Sequence, residues 1–159
     1  FLLQKIKHHT LMTETIAFHP LFPLLATASC DHTAILYDLT TCPPTIKHHF
    51  KDHDNTVSCV AFHPNQQLLA TGSYDETTII YNVSTLPPIL QHHLKNHIDA
   101  VVCMAFHTRC SLFATGSIDT SVILYNCTTT LSTFTIKNVF YPSNGPQPAY
   151  VVLFASVLI

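Results

Sequence analysis

The chain has 159 residues, of which 47% are hydrophobic and only 10% charged, and its formal net charge is −2. A disordered chain is less apolar and more charged, and a nucleic-acid binder carries a basic patch, which seven Lys and Arg scattered along the sequence do not make. The length suits one domain with a sizeable core, and so little charge implies segments covered on both faces.

Read from the amino end, the elements recur. Lys7-x-His9 returns as Lys51-x-His53 and Lys95-x-His97, and Phe18-His19-Pro20 as Phe62-His63-Pro64 and Phe106-His107. Ala26-Thr27 returns as Ala70-Thr71 and Ala114-Thr115, Asp31 as Asp75 and Asp119, and Tyr37 as Tyr81 and Tyr125. The pair Pro43-Pro44 returns as Pro87-Pro88. Every step is 44 residues, with no insertion predicted from Lys7 to about Ile136. In the second unit, Val57 to Phe62 is β-branched and aromatic and stops at Pro64, which cannot continue a ladder. Leu68 to Ser73, Thr77 to Tyr81 and Ile89 to Leu94 are three more predicted strands, separated by Asn65-Gln66-Gln67, by Tyr74-Asp75-Glu76 and by Leu86-Pro87-Pro88. Four short strands per unit of this length describe a propeller blade. Alternation puts Val57, Cys59 and Ala61 on one face of the first strand and Ser58, Val60 and Phe62 on the other. Both faces are largely apolar, as in a sheet sandwiched between two others.

The sequence therefore predicts an all-β chain: a partial β-propeller of four-stranded antiparallel blades at 7–50, 51–94 and 95–136. Phe1 to Ile6 aligns with the fourth strand of a preceding blade, and 137–159 reads as a divergent loop, Tyr141 to Pro148, and an apolar strand, Tyr150 to Ile159. Six cysteines, at 30, 42, 59, 103, 110 and 127, contain no CxxC pair and read as reduced thiols acting as small hydrophobes. This favours the cytoplasm or the nucleus. No signal peptide stands out. The most apolar run, Ala149 to Ile159, is about half a membrane span, so no membrane partner is expected. Asn82 and Asn126 open Asn-x-Ser/Thr triplets that matter only in a secreted chain.

At Ala70-Thr71-Gly72-Ser73-Tyr74-Asp75, followed by Ile79-Ile80-Tyr81-Asn82 and preceded by His53, the sequence resembles the WD-repeat family of β-propellers, from Phe1 to about Ile136. The resemblance implies a hydrogen-bonded network of histidine, Ser/Thr, turn aspartate and an aromatic in each blade. The matching sets are His9, Thr27, Asp31 and Tyr37; His53, Thr71, Asp75 and Tyr81; and His97, Thr115, Asp119 and Tyr125, with Ser29, Ser73 and Ser117 as alternatives to the threonines. Tyrosine stands where the family has tryptophan, and Asn82 and Asn126 stand where it has aspartate, kept here as Asp38. The family's glycine before the histidine is His8, Asp52 or Asn96, residue types suited to positive φ.

The repeated aspartates suggest carboxylate chemistry, but catalysis needs an asymmetric constellation, and identical repetition argues for structure. Two groups, His48, His49, His53 and His92, His93, His97, place three imidazoles within six residues and raise metal binding as an alternative, although no acidic or Cys ligand completes a site at metal spacing. There is no Gly-rich phosphate loop, GxSxG elbow or HExxH helix. The expected function is non-enzymatic: a scaffold that binds a protein or peptide partner, without cofactor. A degenerate fragment with no function of its own is the further alternative. Three blades leave apolar faces bare, so missing blades in cis or self-association are expected.

Overall fold

The molecule is described here by a computed structural model covering residues 4–128 and 133–140. The described residues form twelve strands and no helix. One sheet holds β1 (Thr13–Phe18), β2 (Leu24–Ser29), β3 (Ala34–Asp38) and β4 (Thr45–Phe50). The next holds β5 (Val57–Phe62), β6 (Leu68–Ser73), β7 (Thr78–Asn82) and β8 (Ile89–Leu94). The third holds β9 (Val101–Phe106), β10 (Leu112–Ser117), β11 (Val122–Thr128) and β12 (Thr133–Phe140). Strands consecutive in sequence are neighbours in each sheet, and all pair antiparallel. The architecture is a partial β-propeller of three blades. β7 starts at Thr78, one residue later than predicted, because Thr77 is held in the preceding turn by Asp75.

The core lies between the sheets. Leu24, Ala26, Leu36 and Phe50 of blade 1 cluster with Val60, Phe62, Leu69 and Tyr81 of blade 2. Ala70, Ile80 and Leu94 on the other side of blade 2 cluster with Met104, Phe113 and Ile123 of blade 3. The central blade is thus covered on both faces, and its first strand shows no clean polar face. The first strands lie side by side, β1 by β5 and β5 by β9.

A bulge between Val57 and Cys59 corrects the simple alternation of that strand. The extra residue, Ser58, is left out of the ladder, so Val57 joins Val60 and Phe62 on the side facing blade 1. The Ser58 hydroxyl lies between two carbonyls, Gly72 at 3.0 Å and Val101 of blade 3 at 2.5 Å, and so ties the bulge to the next blade.

Blade 3 departs from the repeat at its last hairpin. Tyr37 pairs with Ile46 and Tyr81 with Leu90, but Tyr125 pairs with Ile136, two residues later than the 44-residue step predicts. The register is therefore broken before Ile136, and the last strand runs on to Phe140 rather than ending at 136. The cause is local. Pro43-Pro44 and Pro87-Pro88 interrupt the corresponding connections, where proline cannot donate to a ladder; Leu131-Ser132 stand at those positions in the third unit.

The strand expected at residues 1–6 is not formed by its described part. Residues 4–6 have no strand partner among the described residues, and a strand exists only in a ladder. Phe1 to Leu3, the loop at 141–148 and the apolar strand at 150–159 lie outside the described residues.

Candidate functional site

In each blade the connection entering the first strand meets the turn between the second and third. His9, His53 and His97 sit in that connection, and their Nδ1 atoms lie 3.0, 2.8 and 2.8 Å from Oδ2 of Asp31, Asp75 and Asp119. A carboxylate only accepts, so Nδ1 carries the proton and donates it. On the far side of each ring, Nε2 meets the hydroxyl of Thr27, Thr71 or Thr115 at 2.7, 2.8 and 2.8 Å. The structure thus brings histidine, threonine and aspartate of each predicted set together in all three blades, with the tyrosine beside the threonine hydroxyl.

Each carboxylate has further donors. Oδ2 accepts from the backbone N–H of Thr10, Asp54 or Ile98, and Oδ1 from the N–H and hydroxyl of Thr33, Thr77 or Ser121. Burial works to raise these carboxyls, but the donated bonds, led by the Thr33, Thr77 and Ser121 hydroxyls, outweigh it and hold all three below the usual carboxylate range.

The tyrosines make a second contact besides the one to the threonine hydroxyl. Their O–H groups turn to the residue preceding each histidine: Tyr81 donates to Asp52 at 2.9 Å, Tyr125 to Asn96 at 3.3 Å, and Tyr37 lies 3.3 Å from Nδ1 of His8, whose ring stacks on it. Burial raises all three phenols, assisted at Tyr81 by the Asp52 carboxylate and opposed in each blade by the neighbouring threonine hydroxyl. The positive-φ explanation for His8, Asp52 and Asn96 is corrected accordingly. Among the described non-glycine residues positive φ falls on His32, Glu76 and Thr120, each in the turn after the aspartate. Asp52 and Asn96 accept from, and His8 pairs with, a hydroxyl that the family's tryptophan would not present there. Both departures from the family pattern, Tyr for Trp and a polar residue for Gly, are two ends of one hydrogen bond. The signal lay in the pattern itself, since both departures occur in every unit.

Ser29, Ser73 and Ser117 do not substitute for the threonines. Their hydroxyls donate to the carbonyls of Met12, Asn55 and Asp99 and accept from the N–H of Asp31, Asp75 and Asp119, which clamps the turn to the start of the first strand. Asn82 keeps the turn contact of Asp38, since Oδ1 of each accepts from the N–H and hydroxyl two residues on, in Ser84 and Thr40; the ion pair of Asp38 Oδ2 with Lys47 at 3.8 Å is one that a neutral amide cannot make. His19, His63 and His107 belong to the repeated Phe-His motif, to which the sequence assigned no role. Each accepts two backbone N–H groups at Nδ1 and so closes the turn to the second strand. His19 also donates from Nε2 to the Gln66 carbonyl of the next blade at 3.0 Å.

The remaining chemistry is consumed in the same way. His53 and His97 are committed to aspartate and threonine, so the imidazole triplets lose their third member, and no group of three or more His, Cys, Asp or Glu among the described residues is placed to hold a metal. All six cysteines are unpaired, and burial pushes the Cys59 thiol up to about 12, far from a nucleophilic thiolate. What the arrangement offers the surroundings is a surface. Backbone bonds from Cys30, Tyr74 and Ile118 to the carbonyls of Met12, Thr56 and Ala100 bind turn and connection into one edge in each blade. That edge presents Met12, Tyr74, Ile98 and Ile118 to solvent.

Four-stranded antiparallel blades stacked face to face, each pinned by the same aspartate–histidine–threonine chain, define a β-propeller segment. The chain belongs to the WD domain, G-beta repeat family, which matches residues 1–38, 44–82 and 89–126. The second and third matches each begin on the outer strand of one sheet and end on the third strand of the next, so a repeat bridges two blades. Among solved structures the fold is similar to the crystal structure of Saccharomyces cerevisiae Sqt1, with a TM-score of 0.78 and 19% identity over 86% of this chain. The similar region is 37% of that protein's chain. No curated protein matches the sequence.

Proposed function

We propose that this chain is a non-enzymatic scaffold that binds a protein or peptide along the edge where turns and connections meet. The observation that carries this reading is the set Met12, Tyr74, Ile98 and Ile118: apolar side chains from all three blades held outward on hydrogen-bonded turns, with Ile98 82% exposed. Rigid turns lose little entropy on binding, and exposed apolar side chains supply its driving force. The aspartates beneath them serve the turns rather than a reaction, which supports a role without catalysis or cofactor. Further blades, supplied in cis or by another chain, would continue the ring. Six unpaired cysteines support a cytoplasmic or nuclear setting.

The test is a displayed peptide library selected against the chain, with enriched peptides then titrated against Ile98→Glu and Ile118→Glu. Both side chains are exposed, so both variants are expected to fold and to lose peptide binding by about tenfold or more. Undiminished binding in both variants would move the partner surface elsewhere, and no enrichment at all would end the peptide-binding reading.

A further inference from the structure

The two ends of the blade stack carry the two halves of a contact that the chain already makes twice within itself. In blade 2, Val60 and Phe62 are buried against Ala26, Ala28 and Ala34 of blade 1. In blade 3, Met104 and Phe106 pack in the cluster that contains Ala70 of blade 2. In blade 1 the same repeat positions are Ile16 and Phe18, which are 59% and 65% exposed. On this face the outer half is already covered: Ile35 and Tyr37 are buried, and His8 stacks on Tyr37. The open part is the inner half, along β1. At the far end of the stack, Ala114 and Leu124 stand at the positions of Ala26 and Ala70 and of Leu36 and Ile80. Those four are fully buried in the inner interfaces, whereas Ala114 and Leu124 are half-buried.

The geometry points to a second copy of this chain as the occupant of the open face: β9, β10 and β11 of one copy dock on β1 of the next, head to tail. Bulky side chains meet alanines in both internal interfaces, and the two open ends offer that pairing with no charged residue among Ile16, Phe18, Ala114 and Leu124. The contact is heterologous, and two copies joined at both ends make six blades, within the about four to eight of known propellers. It uses blade faces and leaves the loop edge free, so it stands or falls separately from partner binding.

Sedimentation of the full chain over a concentration series tests it, with three further arms. Phe18→Glu alters a side chain exposed in the single copy, so at concentrations where the parent is monomeric its circular dichroism and melting should match the parent, while its association weakens by about tenfold or more. Ala114→Arg, with Ala105→Glu as a second variant should the first not fold, should weaken association from the other end. Mixing the two variants should restore pairing, because each supplies the end the other lacks. A parent chain that stays monomeric throughout, a blade 3 variant that folds and associates like the parent, or a mixture that stays monomeric overturns the inference.

Discussion

Phe18 and Phe62 are one residue type at one position of the repeat, yet Phe18 is 65% exposed and Phe62 is 8% exposed. The strands that carry them have the same length and the same antiparallel partner, with a bulge at the same place. What differs is the neighbour: blade 2 has blade 1 against that face, whereas in blade 1 the described residues preceding β1 include His8, stacked on Tyr37, and Phe18 stays exposed. A blade of this kind is half of two cores rather than the owner of one. Its stability is therefore held in interfaces, as in other arrays whose repeats cannot bury their apolar faces alone.

The comparison can be broken most directly by truncating both rings. Phe62→Ala should cost about 3–5 kcal/mol, the range for removing a buried phenylalanine. Phe18→Ala should change the stability of the single copy by no more than about 0.5 kcal/mol, as for other exposed sites. Denaturant titrations at low protein concentration measure both. Equal losses would mean that the face of blade 1 is covered in solution even then.

Asp75→Ala should come next, at about 1–3 kcal/mol, because it strands the Nδ1–H of His53 and the donors of Asp54 and Thr77. Glu76→Ala, one residue on and exposed, should cost little. The carboxyl of Asp75 is held below its ordinary value, so its contribution is present above about pH 4 and is lost as pH falls through the lower folded value. Acid titrations of the parent should show that loss, and Asp75→Asn should flatten it. The same behaviour is expected of Asp31 and Asp119, since the site recurs in blades with unlike surroundings.

Gly72 sharpens the interface between blades 2 and 3. A Cβ there would stand 2.6 Å from Cε of Met104, 2.8 Å from Sγ of Cys59 and 2.9 Å from Cγ1 of Val101. Met104 can swing away, but the other two are attached to short side chains. Gly72→Ala should therefore destabilise by about 1–3 kcal/mol. Ala28 fills the equivalent place in blade 1, where Val60 stands at the Met104 position, so Met104→Val in the Gly72→Ala background should recover part of the loss in thermal melts. Tyr81→Phe should cost about 1 kcal/mol for one hydrogen bond. Tyr37→Phe should cost less, since the bond to His8 is longer. If Tyr37→Phe proves the costlier change, the hydroxyl matters to blade 1 in a way that the His8 contact does not describe.

The blade plan was legible in one dimension because its causes are short-range. β-branched runs make strands, Asp-containing turns and Pro pairs separate them, and a step of 44 residues repeats the whole arrangement. The aspartate–histidine–threonine chain was legible through the resemblance to the WD-repeat family, whose pattern these three residue types match in every unit. Local rules failed where a partner lay far along the chain or where one residue shifted a ladder. The acceptor for Tyr81 is Asp52, 29 residues away, and only folding of the outer strands beside the connection brings the two together. The bulge at Ser58 decides which blade Val57 faces, and a two-residue shift in the last hairpin sets the partner of Tyr125. The exposure of Phe18 was beyond any local rule, because burial depends on the sheet that stands opposite and not on the strand that carries the ring.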